Sequence, residues 1–149
     1  MRRSRLGFSL IELVIALLIG SILTSIALSS YGNARGRFAV RGARNTFAAL
    51  HARARAQAIE RGSTVRLMVD AAGDSVYLVS GGITLENVRF GEELNVDIRS
   101  SSGSLRLCMN SRGYADSDCN SFNTTPTVTF WQNADSASVS ILPLGQLVY

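Results

Sequence analysis

The longest hydrophobic run of the chain is Phe8–Leu28, near the N-terminus, and it contains one charged residue, Glu12. A helix of this length rises about 30 Å, which is the thickness of the hydrocarbon core of a bilayer. Three arginines precede the run, and none follows it immediately. By the positive-inside rule we predict a membrane helix over residues 8–30, with the preceding segment in the cytoplasm and the chain from Ser29 onward across the membrane.

Beyond Tyr31 the pattern becomes amphipathic, with apolar residues at steps of three and four. This spacing gathers them on one face of a helix. We predict that this helix occupies residues 31–62, ends at about Arg61 and is capped by Gly62. The apolar face, which we expect to pack against the C-terminal domain, comprises Val40, Ala43, Phe47, Leu50, Ala54 and Ala58.

After Gly62 the pattern changes to alternation of apolar and polar residues. The segments TVRLMVD and DSVYLVS, separated by AAG, predict a β-hairpin. Serine, asparagine and glycine cluster between the later segments and predict loops. Further strands are predicted at residues 83–90, 94–98, 105–109, 127–131, 138–142 and 146–149. The predicted fold is α+β, with a long N-terminal helix followed by a small antiparallel β-domain over residues 63–149.

The 149-residue chain is basic, with 15 arginines, no lysine and 11 acidic residues, for a net charge of +4. Three of these arginines precede Gly7, and the remaining 12 nearly balance the acids. The charge of the remainder is unevenly placed, with a balance of +7 over residues 35–66 and −5 over residues 67–149. The basic character therefore belongs mainly to the N-terminal leader and to the amphipathic helix.

Four arginines of the amphipathic helix, Arg37, Arg41, Arg44 and Arg55, are expected to project close together, with His51 among them. One interpretation is a partner-facing stripe that meets the acidic β-domain of a neighbouring subunit. The other is nucleic-acid binding through phosphate contacts. The first is favoured because no aromatic residues are interleaved with the arginines and the charge without the leader is near neutral. We expect His51 to be a surface or capping residue rather than a ligand or base.

Two cysteines, Cys108 and Cys119, lie in a polar stretch with ten residues between them and no histidine nearby. The segment offers too few ligands for a metal site, and the spacing is not that of a redox-active CxxC motif. A short-range disulfide fits best, provided that the domain lies in an oxidising compartment.

Catalytic motifs are not found in this sequence. It contains no phosphate-binding glycine loop, no zinc-ligand spacing and no nucleophile elbow, and it has a single histidine. We therefore expect a protein that is not an enzyme, with no catalytic residues, no cofactor and no metal site.

Glu12 is the residue that a plain membrane anchor does not explain, since an unpaired carboxylate near a helix end in the bilayer costs up to a few kcal/mol. The string RRSRLGFSLIEL resembles the class III leader of type IV prepilins and pseudopilins. The resemblance implies that residues 1–7 are a leader and that a prepilin peptidase cuts between Gly7 and Phe8 and methylates Phe8. Glu12 then becomes the fifth residue and pairs with the amino terminus of a neighbouring subunit during assembly.

The remainder of the chain resembles the GspH/FimT branch of pseudopilins and minor pilins, in which a helix runs directly into a first strand and a glycine precedes the last one. The C-terminal LPLGQLVY resembles that ending. Some DNA-binding members carry a glycine-arginine motif there, whereas here Gly145 is followed by Gln146. DNA binding is therefore disfavoured.

The resemblance implies a subunit held in the inner membrane with its C-terminal domain in the periplasm, which then enters a filament with other pilins or pseudopilins. We expect a minor pseudopilin of type II secretion. The alternative is a minor type IV pilin involved in pilus initiation, twitching or DNA uptake.

Overall fold

The computed structural model of the chain describes residues 9–149, with the backbone alone at positions 29, 30, 32 and 33. The leader, residues 1–7, and the predicted methylation residue Phe8 lie outside the described residues. The chain divides into two compact units, the first ending at Arg35 and the second comprising Gly36–Tyr149.

The first helix, α1, spans Leu10–Arg61, and its part in the first unit carries the apolar run. Over Leu10–Leu28 the mean hydropathy is 2.4, and none of this surface is buried within the protein. The hydroxyl of Ser21 donates to Leu18 O at 2.8 Å, and that of Thr24 donates to Gly20 O at 2.8 Å. Because these hydroxyls are satisfied within the helix, they do not interrupt an otherwise apolar cylinder.

The part of α1 in the second unit is amphipathic, as predicted. Its end is a Schellman motif, in which Gly62 adopts a φ of 59° and Ser63 N donates to Ala58 O at 3.2 Å. This confirms Gly62 as the capping residue. All six residues predicted for the apolar face are buried, namely Val40, Ala43, Phe47, Leu50, Ala54 and Ala58.

Two four-stranded antiparallel sheets are formed by the described residues. Sheet A consists of β1 (Val65–Asp70), β2 (Ser75–Ser80), β3 (Ile83–Arg89) and β5 (Leu105–Met109), in the order β3-β2-β1-β5. Sheet B consists of β4 (Asp97–Ser100), β6 (Thr127–Gln132), β7 (Asp135–Ile141) and β8 (Leu147–Val148), in the order β4-β6-β7-β8. A short helix, α2 (Phe90–Leu94), connects β3 to β4. The α+β prediction is confirmed.

The strand predicted at residues 94–98 is wrong. Leu94 ends α2, Asn95 adopts a left-handed conformation with a φ of 53°, and β4 begins only at Asp97. The helix is positioned by distant contacts, since Phe90 N donates to Asp74 O at 2.8 Å and Ile98 N donates to the Asp74 carboxylate at 2.6 Å.

The strand predicted at residues 138–142 begins three residues earlier, at Asp135. The preceding connection contains only Asn133 and Ala134, and Asn133 has a φ of 54°. A two-residue turn of this kind requires the next strand to pair at once, even though the segment Asp135–Ser138 is polar.

The hydrophobic core of the second unit is one cluster, to which the apolar face of α1 and both sheets contribute. Phe47 and Phe130 of β6 have ring centroids 5.7 Å apart, and Phe90 lies 5.5 Å from Phe130 on the same measure. All three rings are fully buried. Phe130 thus joins α1, α2 and sheet B, which fixes the helix beside the sheet that carries the C-terminal strands.

Candidate assembly and partner-binding sites

Glu12 lies in the first turn of α1, where its backbone N donates to Ser9 O at 3.1 Å. A carboxylate in this position interacts favourably with the positive end of the helix dipole. Its neighbours Leu10, Ile11 and Leu13 are all exposed apolar side chains. The carboxylate therefore interrupts a surface suited to lipid or to another helix.

The apolar surface around Glu12 extends along the helix to Leu28, a length of about 28 Å. Soluble monomers rarely expose an apolar surface of this extent. By length and composition this helix can cross a membrane. The predicted cleavage and methylation residues, Gly7 and Phe8, precede the described segment.

In the second unit the structure brings together three of the four predicted arginines. Arg37, Arg41 and Arg44 line a groove of about 530 Å³ between α1 and the beginning of β7, with Tyr149 also at its wall. Arg55 does not line this groove, and its guanidinium lies over the Tyr114 ring, 5.9 Å from the centroid. The predicted cluster of four is therefore divided.

The three groove arginines differ in their partners. The Nε of Arg37 lies 3.5 Å from a carboxylate oxygen of Asp135. The Arg44 guanidinium carbon lies 5.1 Å from the centroid of the Tyr149 ring, and the Nε of Arg44 is buried without a hydrogen-bond partner among residues 9–149. Arg41 is exposed. The groove thus presents cationic groups that an anionic side chain could neutralise.

His51 is buried, with 8% of its surface exposed, so the expectation of a surface or capping residue is wrong. Its Nε2 lies 2.7 Å from Gly145 O and donates a hydrogen bond to it. Burial lowers the pKa of His51, the bond to Gly145 raises it, and the positive charge of Arg55 lowers it further. The net direction is downward, which favours a neutral imidazole that ties α1 to the turn before β8.

The predicted disulfide between Cys108 and Cys119 is present, with the two Cα atoms 5.8 Å apart. Cys108 N donates to the side-chain oxygen of Asn120 at 2.9 Å, and Asp116 N donates to Cys108 O at 2.9 Å. Closing a loop of this length contributes roughly 3 kcal/mol in the chain-entropy model. The bond holds the loop that places Tyr114 beside Arg55.

Within residues 9–149, no group of three or more histidine, cysteine or acidic side chains is arranged to hold a metal ion.

Three residues of the groove, Ser136, Ser138 and Tyr149, were not among the site residues predicted from the sequence. The asparagine-containing turn before β7 is the signal that could have placed the strand correctly.

Residues 2–28 match the prokaryotic N-terminal methylation motif. No curated protein sequence matches the chain significantly.

Two crystal structures of the type IV minor pilin FimU from Pseudomonas aeruginosa strain PAO1 have the same fold. The P21 form matches with a TM-score of 0.58 at 15% sequence identity, covering 75% of this chain and 88% of FimU. The P65 form matches with a TM-score of 0.54 at 15% identity, covering 72% and 90%. The fold is therefore that of a pilin.

Proposed function

We propose that this chain, which joins a prokaryotic N-terminal methylation motif to a pilin fold, is a minor subunit of a type IV pilin-type filament. In this proposal the protein is inserted in the inner membrane, cleaved after Gly7 by a prepilin peptidase and methylated at Phe8. It then assembles with other pilin-type subunits. Its role is structural rather than enzymatic.

The observation that carries the proposal is the exposed apolar helix Leu10–Leu28, with Glu12 in its first turn. Such a helix has two suitable environments, the bilayer and a bundle of like helices in a filament core.

Glu12 supports the filament environment in particular. Cleavage before Phe8 would create a positively charged amino group near one end of the helix, and this group on a neighbouring subunit could neutralise the carboxylate. In an apolar surrounding the attraction between opposite charges is stronger than in water, and an unpaired carboxylate is strongly disfavoured. The pairing would therefore fix the axial register between subunits.

The disulfide between Cys108 and Cys119 supports a periplasmic location for the second unit. Disulfides of this kind persist in the bacterial periplasm and are rare in the cytosol. The three arginines at positions 2, 3 and 5 favour the same orientation, because the basic flank of a membrane helix remains in the cytoplasm.

Two filaments are candidates, the type IV pilus and the pseudopilus of type II secretion. The sequence resemblance led us to expect the pseudopilus. The fold similarity to FimU, a type IV minor pilin, supports the pilus at least as well, and we propose the pilus as the first candidate. Loss of surface pili on deletion, with secretion intact, would support it, whereas loss of secretion with pili intact would support the pseudopilus.

Incorporation into filaments can be tested with Glu12→Gln, which removes the charge and keeps the shape. We expect this variant to accumulate in the membrane at the normal level and to be lost from the sheared filament fraction. Glu60→Gln is the matched control, since Glu60 is exposed near the other end of the same helix. Equal incorporation of Glu12→Gln and the unsubstituted chain would contradict the assigned role of the carboxylate.

A further inference from the structure

Within residues 9–149, strand β7 is paired along its length on one side and over only two residues on the other. β6 pairs with Asp135 through Ser140, whereas β8 pairs only with Ser140 and Ile141. Ile141 N donates to Pro126 O on the β6 side, and Leu142 N donates to Gln146 O on the β8 side. In an antiparallel ladder successive residues point their backbone groups to opposite neighbours. Odd-numbered residues of β7 therefore face β6, and even-numbered ones face away from it.

The backbone groups of Ser136 and Ser138 consequently point to the side that β8 leaves uncovered. Among the described residues, no strand pairs with them on that side. Val148 lies opposite Ser140, and the same register places Tyr149 opposite Val139. Within residues 9–149, the strand position beside Ser136 and Ser138 on this side of β7 is therefore vacant.

This vacant position coincides with the arginine groove. The groove is lined by Ser136 and Ser138 of β7 and by Arg41 and Arg44 of α1. The volume of about 530 Å³ is large enough to hold several residues of an extended chain.

The positive charge of the groove favours an anionic ligand. Arg37 already has Asp135 as a partner, and Asp135 is the acidic residue lining the described groove. Arg41 is exposed, and the buried Nε of Arg44 lacks a hydrogen-bond partner within residues 9–149. Two guanidinium groups therefore remain for incoming carboxylates.

We propose that this groove binds an extended acidic peptide segment of a neighbouring subunit, which joins sheet B as an additional strand beside β7. The peptide backbone would bond to Ser136 and Ser138, and its carboxylates would bind Arg41 and Arg44, which combines strand addition with charge recognition. That the segment comes from a filament subunit rests on the proposed function, whereas its chemistry follows from the groove.

A peptide fits these features better than a nucleic acid. The backbone donors and acceptors of alternate β7 residues match the repeat of another strand. The aromatic residue lining the described groove, Tyr149, already stacks with Arg44, so its ring is engaged rather than open for base stacking.

The test uses the isotope-labelled full-length chain in detergent micelles and a blocked peptide of alternating glutamate and threonine. On addition of the peptide, the amide protons of Ser136 and Ser138 are expected to become protected from solvent exchange, while those of Ala137 and Val139, which face β6, remain unchanged. The same peptide with every backbone amide N-methylated is expected to lose binding, since it keeps the charge but cannot form the ladder.

The charge contribution is tested by replacing both Arg41 and Arg44 with glutamine, which is expected to weaken binding roughly tenfold. Arg112→Gln is the matched control, since Arg112 is exposed in the disulfide-closed loop and is not a groove residue, and it is expected to bind normally.

Three results would overturn the proposal. They are unchanged exchange at Ser136 and Ser138 at saturating peptide, equal binding of the N-methylated peptide, and preferential binding of a short single-stranded DNA that displaces the peptide. Any of these results would remove the groove proposal, whereas the filament proposal would stand as long as the native protein is cleaved after Gly7.

Discussion

Replacing His51 with glutamine is expected to make the folding stability of the chain less sensitive to mild acid. His51 is the single histidine of the sequence, so no other imidazole titrates. In the folded protein it is buried, and its Nε2 donates to Gly145 O at 2.7 Å. A second proton would place a charge in this buried position beside Arg55.

The sign of the effect follows from the direction of the shift. The pKa of His51 is lowered from 6.5 in the folded state, chiefly by burial, whereas the unfolded chain keeps the ordinary value. Well above pH 6.5 neither state is protonated, and His51 adds no pH dependence. Below pH 6.5 the unfolded state binds the proton first, so the free energy of unfolding falls until the pH reaches the folded pKa. The slope approaches about 1.4 kcal/mol per pH unit, the limit for one proton.

The assay is denaturant unfolding of the full chain in detergent micelles, unreduced, at several pH values between about 7 and 5.5, which keeps most carboxylates ionised. Glutamine can still donate to Gly145 O but does not titrate, so the slope for His51→Gln is expected to be markedly shallower. The comparison is between slopes, because the substitution also changes stability at neutral pH. Parallel slopes for the two chains would refute the reasoning.

The core and the backbone give three further predictions, all measured by unfolding of the same preparation. Phe47→Ala is expected to lower the free energy of unfolding by about 3–5 kcal/mol. Phe38, which is 72% exposed, is the control, and Phe38→Ala should change the free energy of unfolding by less than about 0.5 kcal/mol. Similar losses of stability in the two variants would contradict the packing of Phe47 in the core. Gly42→Ala, where an added Cβ meets nothing within 4 Å, is expected to stabilise the helix by about 0.5–1 kcal/mol. Gly113→Ala is expected to destabilise the protein, because Gly113 has a φ of 78° and its Cβ would lie 2.8 Å from the terminal carbon of Ile59; a stabilising effect there would show that the loop is placed differently.

The parts of the fold that the sequence predicts well are those set by a local period. The apolar face from Val40 to Ala58 repeats at helical spacing over five turns. Once the segment is recognised as a helix, its period identifies every buried residue on that face. The β1–β2 hairpin is equally local, since Val65–Asp70 and Ser75–Ser80 alternate and are joined by a short turn. Gly62 was recognisable because it follows the last helical residue directly.

The parts that were missed depend on contacts distant in sequence. α2 has five residues and is held by Asp74, which accepts from the backbone at both Phe90 and Ile98. The alternation of Leu94, Val96 and Ile98 imitates a strand, and no local signal reveals those contacts. His51 was misjudged for the same reason, because its partner is the carbonyl of Gly145, far along the chain.

Among the candidate sites, too, those set by local sequence were predicted and those set by distant contacts were not. The leader motif and Glu12 are recognised from a short continuous string, and the family match over residues 2–28 includes that string. The groove requires the position of β7 and the shortness of β8 as well as the arginines of α1. Helical spacing placed Arg55 with the other arginines, but only the packing of the disulfide-closed loop shows that it contacts Tyr114.

Processing at Gly7 is tested most directly by the intact mass of the unreduced protein recovered from its native membrane, beside the Gly7→Ala and Gly20→Ala variants. Gly20 is the matched control because it lies in the same apolar helix and an added Cβ meets nothing within 4 Å. We predict a mature chain that begins at methylated Phe8 and has the mass of the oxidised Cys108–Cys119 pair. Processing should fail in Gly7→Ala and proceed in Gly20→Ala. An intact leader on the native protein would contradict the proposal of a pilin-type filament subunit.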